Sequence, residues 1–171
     1  MDSIRIFGYK SFKKLSVQLH PINLLIGANG AGKSNFLSLF EMLGNIYEKR
    51  LGAYVAQVGG VDKILYQGRK VTDRIAVSLL IAKSEYDLAL LESDGKLIVE
   101  REAIGCYDDV CPLDLVRKNI ITEYQSESSL KDHKEEDLSN YISQIRKFHF
   151  HDTGRRSPFT ADSHIVNDAY R

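Results

Sequence analysis

The chain has 171 residues, 43% of them hydrophobic, and its 23 Lys plus Arg are matched by 23 Asp plus Glu, for a net charge of zero. That is one domain's length of chain with enough apolar content for a core, and the balanced charge excludes a general electrostatic pull toward nucleic acid or anionic lipid. No apolar run approaches the ~20 residues of a membrane span, and the first residues lack the basic and apolar regions of a secretory signal, so no membrane partner and a cytoplasmic location are expected.

In chain order, Ile4 and Ile6, then Leu15, Val17 and Leu19, alternate as strands do. The run Ile22-Asn23-Leu24-Leu25-Ile26, bounded by Pro21 and Gly27, predicts a strand buried on both faces. From Phe36 through Leu39, Phe40, Leu43 and Ile46 the period becomes three and four, which predicts a helix over 33–49. A connector punctuated by Gly59, Gly60 and Gly68 follows over 51–70. An antiparallel meander is expected over 71–103, with strands at 74–83, 86–92 and 96–102 and Asp94-Gly95 as a hairpin turn. Cys106 and Cys111 lack CxxC spacing and read as reduced thiols. The chain then turns polar, and 126–137 reads as a polar mobile segment. Over 138–171 a helix through Leu138, Tyr141, Ile142 and Ile145 precedes a short strand, Phe148-His149-Phe150-His151, and a tail.

One motif carries chemistry. Gly27-Ala28-Asn29-Gly30-Ala31-Gly32-Lys33-Ser34 satisfies GxxxxGK[ST] without a mismatch, after a predicted buried strand and before a predicted helix. Glycines 27, 30 and 32 are expected to allow positive φ and turn successive N–H groups inward as an anion nest, to which the helix N-terminus adds its donors. Lys33 is expected to reach the β- and γ-phosphates of ATP and Ser34 to supply a hydroxyl to Mg²⁺. Asn29 and the following Asn35 are read either as nucleotide contacts or as side chains closing a local turn.

The segment IRIFGYKSFKKLSVQLHPINLLIGANGAGKSNFLSLFEML resembles the N-terminus of ABC-type ATPases of the RecF/SMC branch, including ATPases related to the OLD (overcoming lysogenization defect) proteins. The likeness is strong over about the first 50 residues and loose beyond, where FHFHDTG is similar to a segment of one subgroup. It implies ATP binding by a head that dimerises around nucleotide, in DNA repair or phage defence, with DNA as a further candidate partner. It also implies that residues 9–13 approach the nucleotide from the side opposite the phosphate nest, with Phe12 and Lys13 toward ribose or base; the residue pattern alone equally fits a hairpin turn with Phe12 packed beneath it.

Such an ATPase also needs an apolar strand ending in Asp-Glu and an LSGGQ-like signature. The nearest imitation of the former, Leu88-Ala89-Leu90-Leu91-Glu92, runs directly into the Asp94-Gly95 turn and reads more readily as a hairpin strand. The resemblance also implies a loop that senses Mg²⁺ and the attacking water, for which His151 and Asp152 are candidates, and His149 with His151 would share one face of a strand, as a metal pair could. The expected fold is therefore α/β: a P-loop NTPase unit of strand, loop and helix beside an antiparallel meander, as an incomplete ABC-type ATPase head in one domain, 1–171. Its partner would be a missing C-terminal ATPase half or a second head, without which the fragment should be prone to aggregate. The alternatives are a self-contained small P-loop kinase or nucleotidase, for which Arg155 and Arg156 are the visible basic lid candidates, and a non-catalytic truncated interaction module.

Overall fold

The computed structural model describes residues 1–81, 84–106, 117–133 and 136–145. The first alternating segments form a hairpin, β1 (Ser3–Tyr9) and β2 (Phe12–Gln18). Helices α1 (Lys33–Tyr47) and α2 (Leu51–Val58) follow, then strands β3 (Arg74–Ile81), β4 (Ser84–Ser93), β5 (Lys96–Cys106) and β6 (Arg117–Gln125), and helix α3 (Glu136–Ser143). The strands make one antiparallel six-stranded sheet in the order β2-β1-β3-β4-β5-β6. Period-2 alternation puts Ile4, Ile6, Ile75, Val77, Leu79, Tyr86, Leu88 and Leu90 on one buried face. Against them the helices lay Leu39, Met42, Leu43, Ile46, Leu51 and Tyr54, and the two sets form one core cluster.

Gly8 adjusts the hairpin. Its φ is +72°, and a Cβ there would stand 2.1 Å from the Arg74 carbonyl oxygen. This breaks the alternation, so that Phe7 lies half exposed while Tyr9, two residues on, is fully buried. The turn is then tied to the connector: the Lys10 N–H donates to the Ile64 carbonyl at 2.7 Å and the Tyr66 N–H to the Gly8 carbonyl at 2.9 Å.

Four sequence expectations are corrected. Residues 22–26 are not a strand buried on both faces: they run unpaired, with Ile22 90%, Leu24 81% and Ile26 83% exposed. No backbone hydrogen bond joins 22–27 to another described segment. The physical reason is that the chain folds its described strands into the antiparallel sheet and leaves none to lie beside this one. The connector over 51–70 begins with a helix, α2, because Leu51, Tyr54 and Val55 recur at helical spacing and are buried. The meander extends through a further strand, β6, beyond residue 103.

The fourth correction concerns the polar segment: over 126–133 it is a pinned strap. The buried Glu102 carboxylate accepts from the Tyr86 hydroxyl (2.5 Å), the Ser128 hydroxyl (2.6 Å) and the Ser129 N–H (2.9 Å). Glu127 accepts the Leu51 N–H at the start of α2, Lys49 pairs with Asp132 and Lys131 with Glu48. Composition reads this segment as solvated, but its charged groups find partners at Glu48, Lys49 and Leu51, where α1 gives way to α2.

Candidate functional site

The loop at 27–34 precedes α1, whose first residue is Lys33 and whose N-cap, Gly32, is left-handed at φ +93°. Gly30 also takes positive φ, +83°, the left-handed region that favours glycine. Gly27 does not, which corrects the expectation for it; a Cβ there would instead press on the Ala31 methyl at 3.3 Å. Within the loop the Ala31 N–H donates to the Ala28 carbonyl at 3.2 Å, and the Phe36 N–H to Gly32 at 2.9 Å starts the helical ladder.

Lys33 is drawn back onto its own loop. Its Nζ donates to the Gly27 carbonyl at 2.6 Å and the Ala28 carbonyl at 2.8 Å. A cation held by neutral carbonyls can exchange them for anionic oxygens at a gain, since charge-assisted hydrogen bonds are the stronger kind. Ser34, on the first turn, is exposed, and no hydrogen bond fixes its hydroxyl among the described residues. Asn29 is exposed in the turn. Asn35 Nδ2 donates to Ser11 Oγ at 3.0 Å, joining the first turn of α1 to the β1–β2 turn.

Phe12 is half-buried, and its ring atoms would stand 3.2 Å from a Cβ on Gly32, so it packs beneath the C-terminal end of the loop. Lys13 is exposed on β2. Beneath α1 a hydroxyl chain ties the hairpin to both helices: Tyr9 OH lies 2.9 Å from Ser38 Oγ and 3.3 Å from Tyr54 OH, while Lys10 Nζ donates to Ser38 Oγ at 2.8 Å. Burial pushes the Tyr9 and Tyr54 phenols above their ordinary value. Beneath α1 there is thus a hydrogen-bond network of two phenols, one hydroxyl and the Lys10 ammonium that sequence reasoning missed, because Tyr9, Ser38 and Tyr54 share no local pattern.

Glu92 sits in the β4–β5 hairpin, where Oε1 accepts the Gly95 N–H at 2.8 Å, and Leu88 and Leu90 before it are buried in the core. His149, His151, Asp152, Arg155, Arg156 and Cys111 lie outside the described residues. Among the described residues there is no cluster of three or more His, Cys, Asp or Glu to hold a metal, and no helix long and apolar enough to cross a membrane.

Between the 22–26 segment and β2 lies an apolar groove of about 510 Å³, lined by Leu15, Val17, Leu19, Leu25 and Phe36 and reaching Lys33. The loop and an uncovered apolar surface are therefore continuous. A family model described as AAA ATPase domain matches residues 1–154. No curated protein matches the chain.

Proposed function

The chain belongs to the AAA ATPase domain family, and from that premise we propose that residues 27–35 bind ATP with Mg²⁺ as one part of a RecF/SMC/OLD-like head. The observation that carries this reading is the loop itself: two glycines at positive φ, an N–H-rich helix start, and Lys33 held on exchangeable carbonyls. The donor set fits a triphosphate. Backbone N–H groups of Gly30 and of residues 32–34 would take the β-phosphate oxygens, and Lys33 would leave Gly27 and Ala28 for the β- and γ-phosphates. Ser34 would give one ligand to Mg²⁺, which keeps water and phosphate oxygens for the rest and whose chemistry is to neutralise charge on the β- and γ-oxygens.

The described residues hold no carboxylate at this loop to orient an attacking water. In this proposal hydrolysis is completed by a partner, the remaining half of the head or a second head, that lays strands beside 22–26 and covers its apolar side chains. A role in DNA repair or phage defence follows from the resemblance of residues 1–50 and is proposed on that ground.

The test is equilibrium binding of ATP–Mg²⁺ to the purified chain, with Lys33→Ala alongside and phosphate release followed in the same samples. We expect binding without turnover, weakened about 10- to 100-fold in Lys33→Ala, the effect of losing a charge-assisted contact. Unchanged affinity in that variant refutes the site. Lys33-dependent turnover by the chain alone refutes the need for a partner and favours a self-contained small P-loop enzyme.

A further inference from the structure

The face of the sheet turned away from α1 and α2 holds a trough of about 460 Å³. Ile6, Val77 and Leu88 point into the core, so alternation turns their neighbours Phe7, Ala76 and Ala89 outward. The register then sets one row of side chains across five strands. Lys14 on β2 stands opposite Phe7 on β1, Phe7 opposite Ala76 on β3, Ala76 opposite Ala89 on β4, and Ala89 opposite Arg101 on β5. The ends of this row are cations, and its middle is apolar and small.

A solvated face does not call for such a middle. Alanine is depleted in strands, and a water-facing position in a central strand favours Thr or a longer polar side chain. Ala76 and Ala89 instead leave the surface of β3 and β4 low, as the close approach of another element requires. Four strand spacings of about 4.8 Å set Lys14 and Arg101 roughly 19 Å apart, wide enough to stand on either side of a helix about 10–12 Å across. Arg5 closes one end of the trough, its Nη2 donating to Ser78 Oγ at 3.1 Å and to Glu85 Oε1 at 2.6 Å.

The rim carries one sign of charge. Lys14 and Arg101 have no ion-pair partner among the described residues, Glu123 opposite Arg101 on β6 included. The one carboxylate lining the trough, Asp87, is already engaged. Lysine and arginine stems lie along apolar surface while their heads stay in water, so both cations can flank an occupant without being buried. The complementary occupant has an apolar stripe for the floor and a carboxylate on each flank.

We propose that this trough docks an acidic amphipathic helix of a partner protein. The helix lies along β3 and β4, with its apolar stripe on Phe7, Ala76 and Ala89 and its carboxylates against Lys14 and Arg101. The P-loop helix packs on the opposite face of the sheet, so this partner and a nucleotide do not compete.

The test is fluorescence anisotropy with the full chain and two labelled helical peptides of about 18 residues. Both carry Leu at i, i+3, i+4 and i+7 spacing, one with Glu and the other with Lys on the two flanks. Wild type should bind the Glu peptide about tenfold more tightly than the Lys peptide, because like charges across an interface are unfavourable. Lys14→Glu/Arg101→Glu should invert that preference, and Ala76→Trp, which fills the trough and leaves the rim alone, should weaken both. The two variants change charge and shape separately, so if one fails to fold the other decides. Binding of neither peptide, equal binding of both, or an unchanged preference after charge reversal overturns the proposal. Loss of wild-type self-association in Ala76→Trp overturns it by making a second copy the occupant, and so does a labelled DNA duplex whose binding the charge reversal abolishes. ATP affinity should be unchanged in both variants, and its loss would overturn the proposal by making the trough part of the nucleotide site. A failed Lys33→Ala control would instead strike the P-loop reading and leave this one standing.

Discussion

Replacing Leu24 and Ile26 together by Asp separates a surface that waits for a partner from one that is part of this chain's own core. In the structure Leu24 is 81% and Ile26 83% exposed, so little of either side chain contributes to the monomer. Substitution at such positions changes stability by only about 0.5 kcal/mol each, which for a chain of this size moves the melting temperature by about 2–4 °C at most. Buried in a completed sheet, the same two side chains would contribute about 1.5–3 kcal/mol each, and unpaired carboxylates there would add several more. The double variant should therefore melt with wild type but show weaker fluorescence enhancement of an apolar dye, and it should remain monomeric in sedimentation where wild type self-associates at raised concentration. A fall of 10 °C or more in melting temperature would refute the reasoning, since it would mean that 22–26 is buried within the chain in solution. Unchanged self-association would refute it from the other side.

Three further outcomes follow from packing and ionisation. Gly8→Ala should cost about 2–4 kcal/mol in urea unfolding, because its Cβ would meet the Arg74 carbonyl at 2.1 Å at a φ of +72°; near wild-type stability would show that the hairpin can re-register. Glu102→Ala should cost about 2–4 kcal/mol by stranding the buried Tyr86 and Ser128 hydroxyls, against about 1 kcal/mol for Ser128→Ala, and equal losses would show that the carboxylate does not organise the strap. The buried phenols of Tyr9, Tyr54 and Tyr86 are held above their ordinary value of 10.0, chiefly by desolvation. A folded pKa raised above the unfolded one gives stability that is present below pH 10 and lost as pH rises through the folded value. Stability should thus decline above about pH 10, more gently in Tyr86→Phe, and tyrosine absorbance titrating at ordinary pH without unfolding would contradict the burial.

Much of the candidate site was legible in order of residues. The GxxxxGK[ST] spacing and the helical recurrence of Phe36, Leu39, Leu43 and Ile46 are local, and they reappear as the loop and α1. The Asp94-Gly95 turn is likewise local, with both residues at positive φ, and it accounts for the β4–β5 hairpin. Short-range signals of this kind survive folding because the backbone geometry they demand does not depend on distant neighbours. Tertiary structure decided the rest. An apolar run such as 22–26 says that burial is favourable but not which strand supplies it, and here the hydrophobic alternation of β3 pairs it with β1 instead. The strap over 126–133 reads as solvated in composition, yet Glu102, Leu51, Lys49 and Glu48 draw its polar groups into contacts from 26 to 83 residues away. A depression lined by Lys10, Lys63, Arg69 and Lys70 is made the same way: Lys10 and Lys70 stand sixty positions apart, and the backbone pairing between the hairpin turn and the connector brings them to one surface. The sequence by itself therefore determined the glycine loop and the start of the helix it precedes, because both depend on backbone freedom and side-chain spacing over a few neighbouring residues. What covers the loop, what backs it and what charge lies beside it were decided by long-range packing, because desolvation and electrostatics depend on distance in space rather than along the chain.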